Sequence, residues 1–482
     1  MFAVASVTAV AQATGGEYIL TPKPGPEPRI NGAKVFGVSP GAPVMYKIAS
    51  TGEKPLRYRV SNHPDGIYID ENTGILSGSI AEPGTYVLKA TVSNRYGKAK
   101  ADIRLVVGDV LSLTPPMGWN SWYNWGLTVT QERVMASAQA MIDKGLVDFG
   151  WSYVNIDDGW EAYERLPDGT LLANEKFPDM KGLSDWIHSN GMKFGIYSSP
   201  GPTTCGGYLG SYGHEQQDAD VWGEWEVDFV KYDLCSYKWE IQDKQSDTTI
   251  QRWIKPFRKM REALDRQPRD MVYLVCSYES IPWIDSVGGN MTRLSADIKD
   301  SWKNLLNNGF DMEEYAPYQR PGRWNDPDML VIGSIDGWNG ERLRKTGLTP
   351  DEQYTHISLW CLYSAPLLIG CDIAHMDDFT LGLLTNAEMI DINQDPLGKQ
   401  AVQVISKNDY KVFVKEMEDG SHAVGIFNIS DAEREITVNW SELGIKGGKV
   451  RDPWRQRDLG KFPVSFSAAV AAHGVQMIRI FE

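Results

Sequence analysis

The stretch VDFVKYDLC, residues Val227 to Cys235, decides the fold because its pattern predicts a β-strand that ends in polar side chains. An alternating apolar run leads into Lys231 and Asp233, and a cysteine follows two residues later. In a parallel barrel of strands and helices, the active site lies at the carboxyl ends of the strands. A loop start or a helix cap also explains an isolated Asp233. The same arrangement recurs along the chain, however, and this favours a functional site.

Strands alternate with helices over residues 111–397, which predicts a (β/α)₈ barrel. A doubly wound sheet is the alternative, but no glycine-rich phosphate loop (GxGxxG or GxxxxGK[ST]) follows any predicted strand. Helices are predicted at LSDWIHSNG, at IQRWIKPFRKMREALDR and at YTHISLWCLYSA. The predicted strands are Met117–Trp119, Tyr153–Ile156, Lys193–Tyr197, Val227–Tyr232, Met271–Val275, Met291–Ala296, Arg323–Val331 and Leu367–Gly370.

Two β-rich regions flank the predicted barrel. Residues 17–110 contain short alternating runs that are broken by Pro, Gly and Asn, which predicts a small β-sandwich. The segments GIYID, NTGILSG and PGTY within it resemble the Ig-like module of many bacterial surface and secreted proteins. Residues 398–482 return to the alternating pattern and predict a second, antiparallel β-sandwich.

The first residues predict export. The run Phe2–Ala13 is small and apolar and closes on Ala-Gln-Ala, so residues 1–16 are interpreted as a signal-peptide remnant, with a cloning remnant as the alternative. The expected location is periplasmic, cell-surface or extracellular. No apolar run reaches 18 residues, so no membrane span is predicted.

The composition of the chain limits the classes of ligand and partner that the protein is expected to bind. The formal net charge of −15 argues against nucleic acid, whose phosphates would be repelled. The 17 Trp and 21 Tyr favour carbohydrate, because sugar C–H faces stack on aromatic rings. Five cysteines without CxxC and seven histidines without HExxH predict no metal site. No cofactor is predicted, and the oligomeric state is left open.

The predicted strand ends bring many polar and aromatic side chains to one face. Clustered carboxylates raise one another's pKa and are typical of acid–base chemistry, metal binding or polyol binding. A site for a hard cation is disfavoured because Lys231 and Arg293 already balance the charge. Aromatic, acidic and basic groups together favour a sugar subsite. The candidates are Trp119, Trp122, Asp157, Asp158, Trp160, Tyr197, Lys231, Asp233, Arg293, Asp297, Asp326 and Asp328.

Seven motifs follow one another along the chain: TPPMGWNSW, VNIDDGW, KFGIYSS, TCGGYLGSYGHEQQDAD, VDFVKYDLC, ADIKDSW and GRWNDPDMLVIG. In this order they make the chain resemble glycoside hydrolase family 27, the retaining α-galactosidases and α-N-acetylgalactosaminidases. The resemblance runs from about residue 113 to 399 and continues into a C-terminal sandwich, and it implies the (β/α)₈ fold and double-displacement chemistry.

The resemblance implies roles residue by residue. Asp233 would be the nucleophile and Asp297 the acid/base, and Cys205 and Cys235 would form a disulfide beside the nucleophile. Trp122 would stack against the sugar ring, and Asp157 and Asp158 would hold its O4/O6 edge. Lys231 and Arg293 would contact the O3 and O2 side. Tyr197 and Asp328 would line the sugar subsite.

Charge placement predicts the protonation states of the two carboxyls. Lys231 lies two residues before Asp233 and points the same way in a strand, so its charge favours ionised Asp233. The ionised Asp233 is in turn expected to raise the pKa of Asp297, as a general acid requires.

One loop departs from the family pattern. After Cys276 the chain reads Ser277-Tyr278-Glu279-Ser280, and a small Ser277 is similar to the residues that make room for a 2-acetamido group in animal α-N-acetylgalactosaminidases. The sequence therefore predicts an exo-acting retaining α-galactosidase that acts on terminal α-galactosides, with Ser277 near the C2 substituent. An α-N-acetylgalactosaminidase and a catalytically inert carbohydrate-binding surface protein are the alternatives.

Overall fold

The computed structural model describes residues 18–242, 251–278, 280–336 and 343–482 of the 482-residue chain. The predicted leader, residues 1–16, lies outside the described residues. Within them, no helix has both the length and the apolar character to cross a membrane.

Eight parallel strands form the central barrel and confirm the predicted fold. Each strand pairs with the next along the chain from β1 to β7, and β8 pairs with β1. The circle closes through a parallel bridge from Leu330, beyond β7, to Ile369 in β8. The strands are β1 Met117–Asn120, β2 Tyr153–Asn155, β3 Lys193–Ser198, β4 Phe229–Asp233, β5 Val272–Cys276, β6 Met291–Arg293, β7 Trp324–Asp326 and β8 Leu367–Ile369.

Strand β7 is much shorter than the predicted strand from residue 323 to 331. Pro327, which follows it directly, has no amide hydrogen to donate to a neighbouring strand. Asp328 then turns the chain with a φ of 92°. Leu330 rejoins the barrel beyond this turn. The interruption aims Asp328 at the centre of the carboxyl end rather than along the strand.

The helices between residues 122 and 393 lie around the barrel, and one of them is buried on every side, whereas Trp440–Leu443 belongs to the C-terminal domain. The helix Pro350–Leu362 begins with a capping box between Thr349 and Glu352 and ends before Ser364, whose φ is 47°. It therefore starts earlier and stops earlier than predicted. The helices are Trp122–Trp125, Gln131–Asp143, Met180–Ser189, Glu215–Glu224, Tyr237–Gln242, Gln251–Leu264, Trp302–Leu305, Pro350–Leu362, Asp378–Leu384, Ala387–Asn393 and Trp440–Leu443.

The N-terminal domain is a β-sandwich with its own apolar core. A four-stranded sheet faces a three-stranded sheet, and the pair Arg29–Ile30 and Ser50–Thr51 lies beside them. In sheet order the larger sheet is Val35–Val38, Gly97–Val107, Gly84–Asn94 and Arg57–Ser61, and the smaller is Pro43–Lys47, Ile75–Ser79 and Ile67–Ile69.

This sandwich packs against the amino-terminal end of the barrel. Ser39 donates its amide hydrogen to Asp270, just before β5, at 2.8 Å. The Asn31 side chain donates to the Asp148 carbonyl, before β2, at 3.0 Å, and Lys54 pairs with the Asp148 carboxylate at 2.9 Å. Because the candidate site residues follow the strands, the sandwich and the candidate site lie at opposite ends of the barrel.

The C-terminal domain is the predicted antiparallel sandwich. Its core joins that of the barrel, since Phe413, Phe427 and Met477 pack into the barrel cluster. In sheet order the large sheet is Val402–Ser406, Tyr410–Glu416, His422–Asn428, Val475–Phe481, Gly448–Asp452 and Arg457–Phe462, and the small one is Arg434–Asn439 and Ser465–Val470.

Candidate active site

A pocket at the carboxyl ends of the barrel strands collects nine of the ten predicted catalytic and sugar-binding residues, all except Ser277. We call it the catalytic pocket. It is lined by Trp122, Tyr123, Asp157, Asp158, Tyr197, Lys231, Asp233, Arg293, Asp297, Asp328 and Met329. Because six different strands or the loops after them supply these residues, the barrel fold itself creates the cluster.

Asp157 and Lys231 form a buried ion pair in the floor of the pocket. The Lys231 ammonium donates to Asp157 Oδ2 at 2.8 Å, and the Asn120 side chain donates to the same oxygen at 2.9 Å. The Asp157 amide donates to Ser121 Oγ at 2.9 Å. These contacts hold Asp157 in one orientation and keep Lys231 charged.

Asp158 is buried and only partly satisfied. Its Oδ2 accepts the Gly206 amide hydrogen at 2.5 Å, whereas its Oδ1 is buried with no hydrogen-bond partner among the described residues. Burial raises the pKa of Asp158 to about 6, against the opposing effects of the hydrogen bonds from Thr204 and Gly206 and of the Lys231 charge. A buried acceptor without a donor suits a site whose donor arrives with a ligand such as a sugar hydroxyl.

Asp233 ends β4, as predicted. The Tyr197 hydroxyl donates to Asp233 Oδ2 at 3.3 Å. Burial raises the pKa of Asp233, while the charges of Lys231 and Arg293 lower it. Lys231 thus acts in the predicted direction, but in the free pocket burial outweighs it.

A disulfide joins Cys205 and Cys235, whose Cα atoms lie 5.0 Å apart. The Tyr197 hydroxyl lies 2.9 Å from Cys235 Sγ. Both sulfurs and an Asp233 carboxylate oxygen lie within 4.8 Å of one another, and among the described residues this is the one group of three or more Cys, His, Asp or Glu side chains that is close enough to hold a metal ion. Since the two sulfurs are bonded together, they offer no thiolate to a metal, and the disulfide instead braces the backbone beside Asp233.

Arg293 links Asp297 to Asp328. One guanidinium nitrogen of this buried arginine lies 3.1 Å from Asp297 Oδ1 and 3.1 Å from Asp328 Oδ2. The Asp297 side chain is 65% exposed, so it forms the rim of the pocket. Burial raises its pKa, but the charges of Arg293 and Lys231 outweigh this effect and hold the pKa below its usual value. The predicted rise is therefore wrong for the unliganded pocket, because Arg293 binds Asp297 directly.

Asp328 is held by its backbone and by its neighbours. Its carboxylate accepts the Ile298 amide hydrogen at 2.8 Å, and the Tyr123 hydroxyl lies 3.4 Å from the same oxygen. A φ of 92° is strained for a residue with a side chain. Such strain is typical of positions that a functional site dictates.

Three predicted candidates lie outside the pocket. Trp119 and Trp160 are fully buried, and their indole N–H groups donate to the carbonyls of Cys371 and Tyr197. Trp119 lies within β1 and Trp160 lies in the loop after β2, and both rings pack into the barrel core. Asp326 is buried behind the pocket, where burial raises its pKa to about 6.

Ser277 directly follows β5 but does not line the catalytic pocket. Its hydroxyl is buried and has no hydrogen-bond partner among the described residues. Its contact with the C2 substituent of a sugar stays a prediction. The neighbouring Tyr278 is half exposed, and burial raises its pKa to about 12.

Sequence reasoning missed several residues that shape the pocket. Asn120 and Gly206 lie inside the quoted motifs TPPMGWNSW and TCGGYLGSYGHEQQDAD, and Tyr123 directly follows the first motif, so the available signal was their closeness in sequence to the predicted site residues. Glu161 gave no signal of its own. It is fully buried, and burial together with the charge of Asp158 raises its pKa well above the usual value.

Comparison with known proteins agrees with this geometry. Residues 114–395 match the family model "Alpha galactosidase A", residues 407–480 match "Alpha galactosidase C-terminal beta sandwich domain", and residues 28–108 match the Ig domain model He_PIG. Alpha-galactosidase 2 of Arabidopsis thaliana is 36% identical over 383 residues, which cover 78% of this chain and 91% of that protein.

Two solved structures extend the similarity. A Bacteroides fragilis protein superposes with a TM-score of 0.88 at 35% identity, covering 94% of this chain and 98% of that chain. Alpha-galactosidase I from Mortierella vinacea superposes with a TM-score of 0.70 at 30% identity, covering 77% and 98%. The chain belongs to the alpha-galactosidase A family of glycoside hydrolases, glycoside hydrolase family 27, as its ordered motifs predicted.

Proposed function

We propose that this protein is an exo-acting, retaining α-galactosidase that removes terminal α-galactosyl residues by double displacement. The observation that carries the proposal is the convergence of Asp233, Asp297 and the Lys231–Asp157 pair on one pocket. Relatives that share most of the chain and are named alpha-galactosidases support it.

In the first step, an Asp233 oxygen attacks the anomeric carbon while the bond to the leaving oxygen breaks. Asp297 gives its proton to that oxygen, and the sugar is left as an ester of Asp233. In the second step, water attacks the same carbon, and Asp297 takes its proton. The ester bond breaks, which returns free Asp233 and protonated Asp297 and releases galactose with its original configuration.

Asp297 must carry a proton before the first step, and the free pocket disfavours this. A bound sugar removes water from the exposed side of Asp297, and its hydroxyls compete for Arg293, which now donates to Asp297 at 3.1 Å. Both changes raise the pKa of Asp297. Substrate binding therefore prepares the acid that the reaction needs.

The predicted substrate preference follows from the short side chains of Asp157 and Asp158. They can hold an axial O4 and leave room for the C6 hydroxymethyl group, which places arabinopyranosides behind galactosides. Ser277 offers no large group to a 2-hydroxyl, and this keeps the α-N-acetylgalactosaminide as the second candidate.

A panel of aryl glycosides tests the proposal. We expect kcat/KM to be highest for the α-galactoside, lower for the α-N-acetylgalactosaminide and lowest for the β-L-arabinopyranoside. If the α-N-acetylgalactosaminide is cleaved faster than the α-galactoside, the assigned substrate changes from α-galactosides to α-N-acetylgalactosaminides. No cleavage of any member would favour the inert carbohydrate-binding protein.

We also propose export and three domains, with boundaries at residues 17–110, 111–397 and 398–482. The Cys205–Cys235 disulfide supports an oxidising compartment. Separation of a culture into cytoplasmic, periplasmic and external fractions tests the location, and cytoplasmic activity alone would contradict it. The position of the Ig-like domain at the far end of the barrel supports an accessory role.

A further inference from the structure

A second concave surface lies at the same end of the barrel as the catalytic pocket. We call it the Tyr163 groove. It has a volume of about 850 Å³, and the loops after β1, β2, β3 and β8 and the start of the helix Gln131–Asp143 form its walls. Its aromatic lining residues are Trp125, Tyr163 and Tyr208, and its charged or titratable ones include Glu132, Arg133, Glu175, Lys176, Asp372 and His375.

An exposed aromatic ring stands in the groove in a fixed orientation. Tyr163 is 66% exposed, although large aromatic side chains are usually covered. It stacks on the buried Tyr208, with ring centroids 4.7 Å apart and planes inclined by 18°. The Lys176 ammonium donates to the Tyr208 hydroxyl at 3.2 Å and lies 5.0 Å from the centre of its ring. Tyr163 therefore presents a free ring face whose support is already ordered.

Several charged groups of the groove have partners within the protein, and both signs are present. Lys176 also donates to the Leu127 carbonyl at 2.9 Å. The Arg133 guanidinium lies over the Trp125 ring at 4.5 Å, and His375 lies 2.6 Å from Asp372. Because acidic and basic groups occur together in the lining, the groove has no strong field for an anion or a cation. Its chemistry suits a neutral, hydroxyl-rich ligand that offers flat C–H faces.

A short hairpin connects the groove to the catalytic pocket. Thr203 and Leu209 pair as a bridge, and the loop between them carries Cys205, Gly206 and Tyr208. Cys205 is bonded to Cys235 beside the nucleophile candidate, Gly206 donates to Asp158, and Tyr208 supports Tyr163. The loop from Cys205 to Tyr208 therefore contacts residues of both concave surfaces.

We propose that the Tyr163 groove is a second sugar-binding site that holds a neutral oligosaccharide or polysaccharide chain at the catalytic face. Tyr163 stacks on a sugar ring, and the polar walls accept and donate hydrogen bonds to its hydroxyl groups. The groove keeps a galactose-bearing polymer close to the catalytic pocket between successive cleavages. This benefit rests on the proposed function, whereas the binding itself does not.

Binding is tested with full-length protein by electrophoresis in gels that contain neutral polysaccharides without α-galactose, such as a linear mannan, xylan or glucan. We expect at least one polymer to retard the wild type and Tyr163→Phe. Tyr163→Ala is expected to bind about 3- to 10-fold more weakly, the range that aromatic stacking supplies. Tyr68→Ala is the matched control, since Tyr68 is 69% exposed on the Ig-like domain.

Kinetics separate the groove from the catalytic pocket. For Tyr163→Ala, we expect an unchanged kcat/KM on an aryl α-galactoside and a KM raised about 3- to 10-fold on a galactose-branched polymer. The proposal of a second site would be overturned if no unbranched polymer retarded the wild type. It would also be overturned if Tyr163→Ala and Tyr68→Ala bound the polymer equally well. Failure of the proposed function has a different signature, because the aryl galactoside would then resist cleavage while the unbranched polymer still binds.

Discussion

The two ends of the barrel both contain buried charged residues, and strand β4 carries one acid to each end. Asp228, before the strand, has partners on both oxygens: Arg269 at 2.6 Å and His188 at 2.7 Å. Although burial raises its pKa, these partners outweigh burial, and the pKa is lowered. Asp233, at the other end of the same strand, has a raised pKa because burial outweighs its neighbours.

This difference separates structural acids from functional ones. At the amino-terminal end, the charges are paired within the protein and covered by the Ig-like domain. At the carboxyl end, one buried oxygen of Asp158 has no hydrogen-bond partner within the described part of the chain, and the pKa of Asp158 is raised. A protein tolerates such unfavourable charges where a ligand completes the contacts.

The matched pair Asp233→Asn and Asp228→Asn should give opposite results. Loss of the nucleophile is expected to lower kcat on the order of 10⁴-fold or more, with unfolding free energy unchanged or increased, since a desolvated charge is removed. Loss of Asp228 breaks a buried ion pair and is expected to cost about 3 kcal/mol or more of stability. Urea unfolding measures the stability of each variant, and turnover per folded molecule at low temperature measures its kcat. Equal turnover in both variants would contradict the distinction between a functional Asp233 and a structural Asp228.

Asp297→Ala should reveal a carboxyl that acts by giving a proton. We expect a loss of roughly 10²–10⁴-fold on a methyl α-galactoside, whose leaving group needs protonation. The rate of the first step should fall only slightly on a dinitrophenyl α-galactoside, because its leaving group needs no proton. Burst kinetics measure the rate of the first step on both substrates. An equal fall in this rate on the two substrates would contradict the acid role of Asp297.

The pH dependence of stability should differ between the two ends. Burial raises the pKa of Asp158 from 3.8 to about 6, so its contribution is full below pH 3.8 and is lost as the pH rises to about 6. This change corresponds to about 3 kcal/mol. The lowered pKa of Asp228 has the opposite sign, so its contribution is lost as the pH falls below 3.8.

Urea unfolding between pH 3 and 7 measures both slopes. Asp158→Asn should reduce the loss of stability between pH 4 and 6, and Asp228→Asn should reduce the loss below pH 4. Identical pH profiles for the wild type and Asp158→Asn would show that Asp158 is not desolvated.

Removal of the Ig-like domain should affect chemistry least. Protein that begins at residue 111 is expected to keep kcat/KM on an aryl α-galactoside within about twofold, because every contact described above is at the far end of the barrel. Its melting temperature should fall, since the removed domain covers the barrel floor. A large loss of kcat in folded protein would show that this domain shapes the pocket.

Most of the fold followed from the sequence because strand alternation and polar strand ends are local signals. VDFVKYDLC predicted a strand that ends at Asp233, and the seven ordered motifs contain eight of the nine predicted residues that line the pocket, all except Arg293. Local pattern did not reveal that Pro327 and the φ of Asp328 shorten β7. It also did not separate Trp119 and Trp160, which are buried in the core, from Trp122, which lines the pocket.

Electrostatic details depended on tertiary contacts that the sequence does not display. The pKa of Asp297 was predicted to rise because of Asp233, but the charges of Arg293 and Lys231 outweigh burial and lower it. The Tyr163 groove was also invisible, since its walls come from four loops that are distant along the chain.

The most direct test of the account is to trap the sugar on its nucleophile. The enzyme is incubated with a 2-deoxy-2,2-difluoro- or 5-fluoro-galactosyl substrate, whose fluorine slows the second step, and peptides are then sequenced by mass spectrometry. We predict one added fluorosugar on the peptide that contains Asp233, and none in Asp233→Asn. An adduct on Asp297 or Asp228, or turnover with inversion at the anomeric carbon, would contradict the central claim that the carboxyl end of β4 carries the nucleophile.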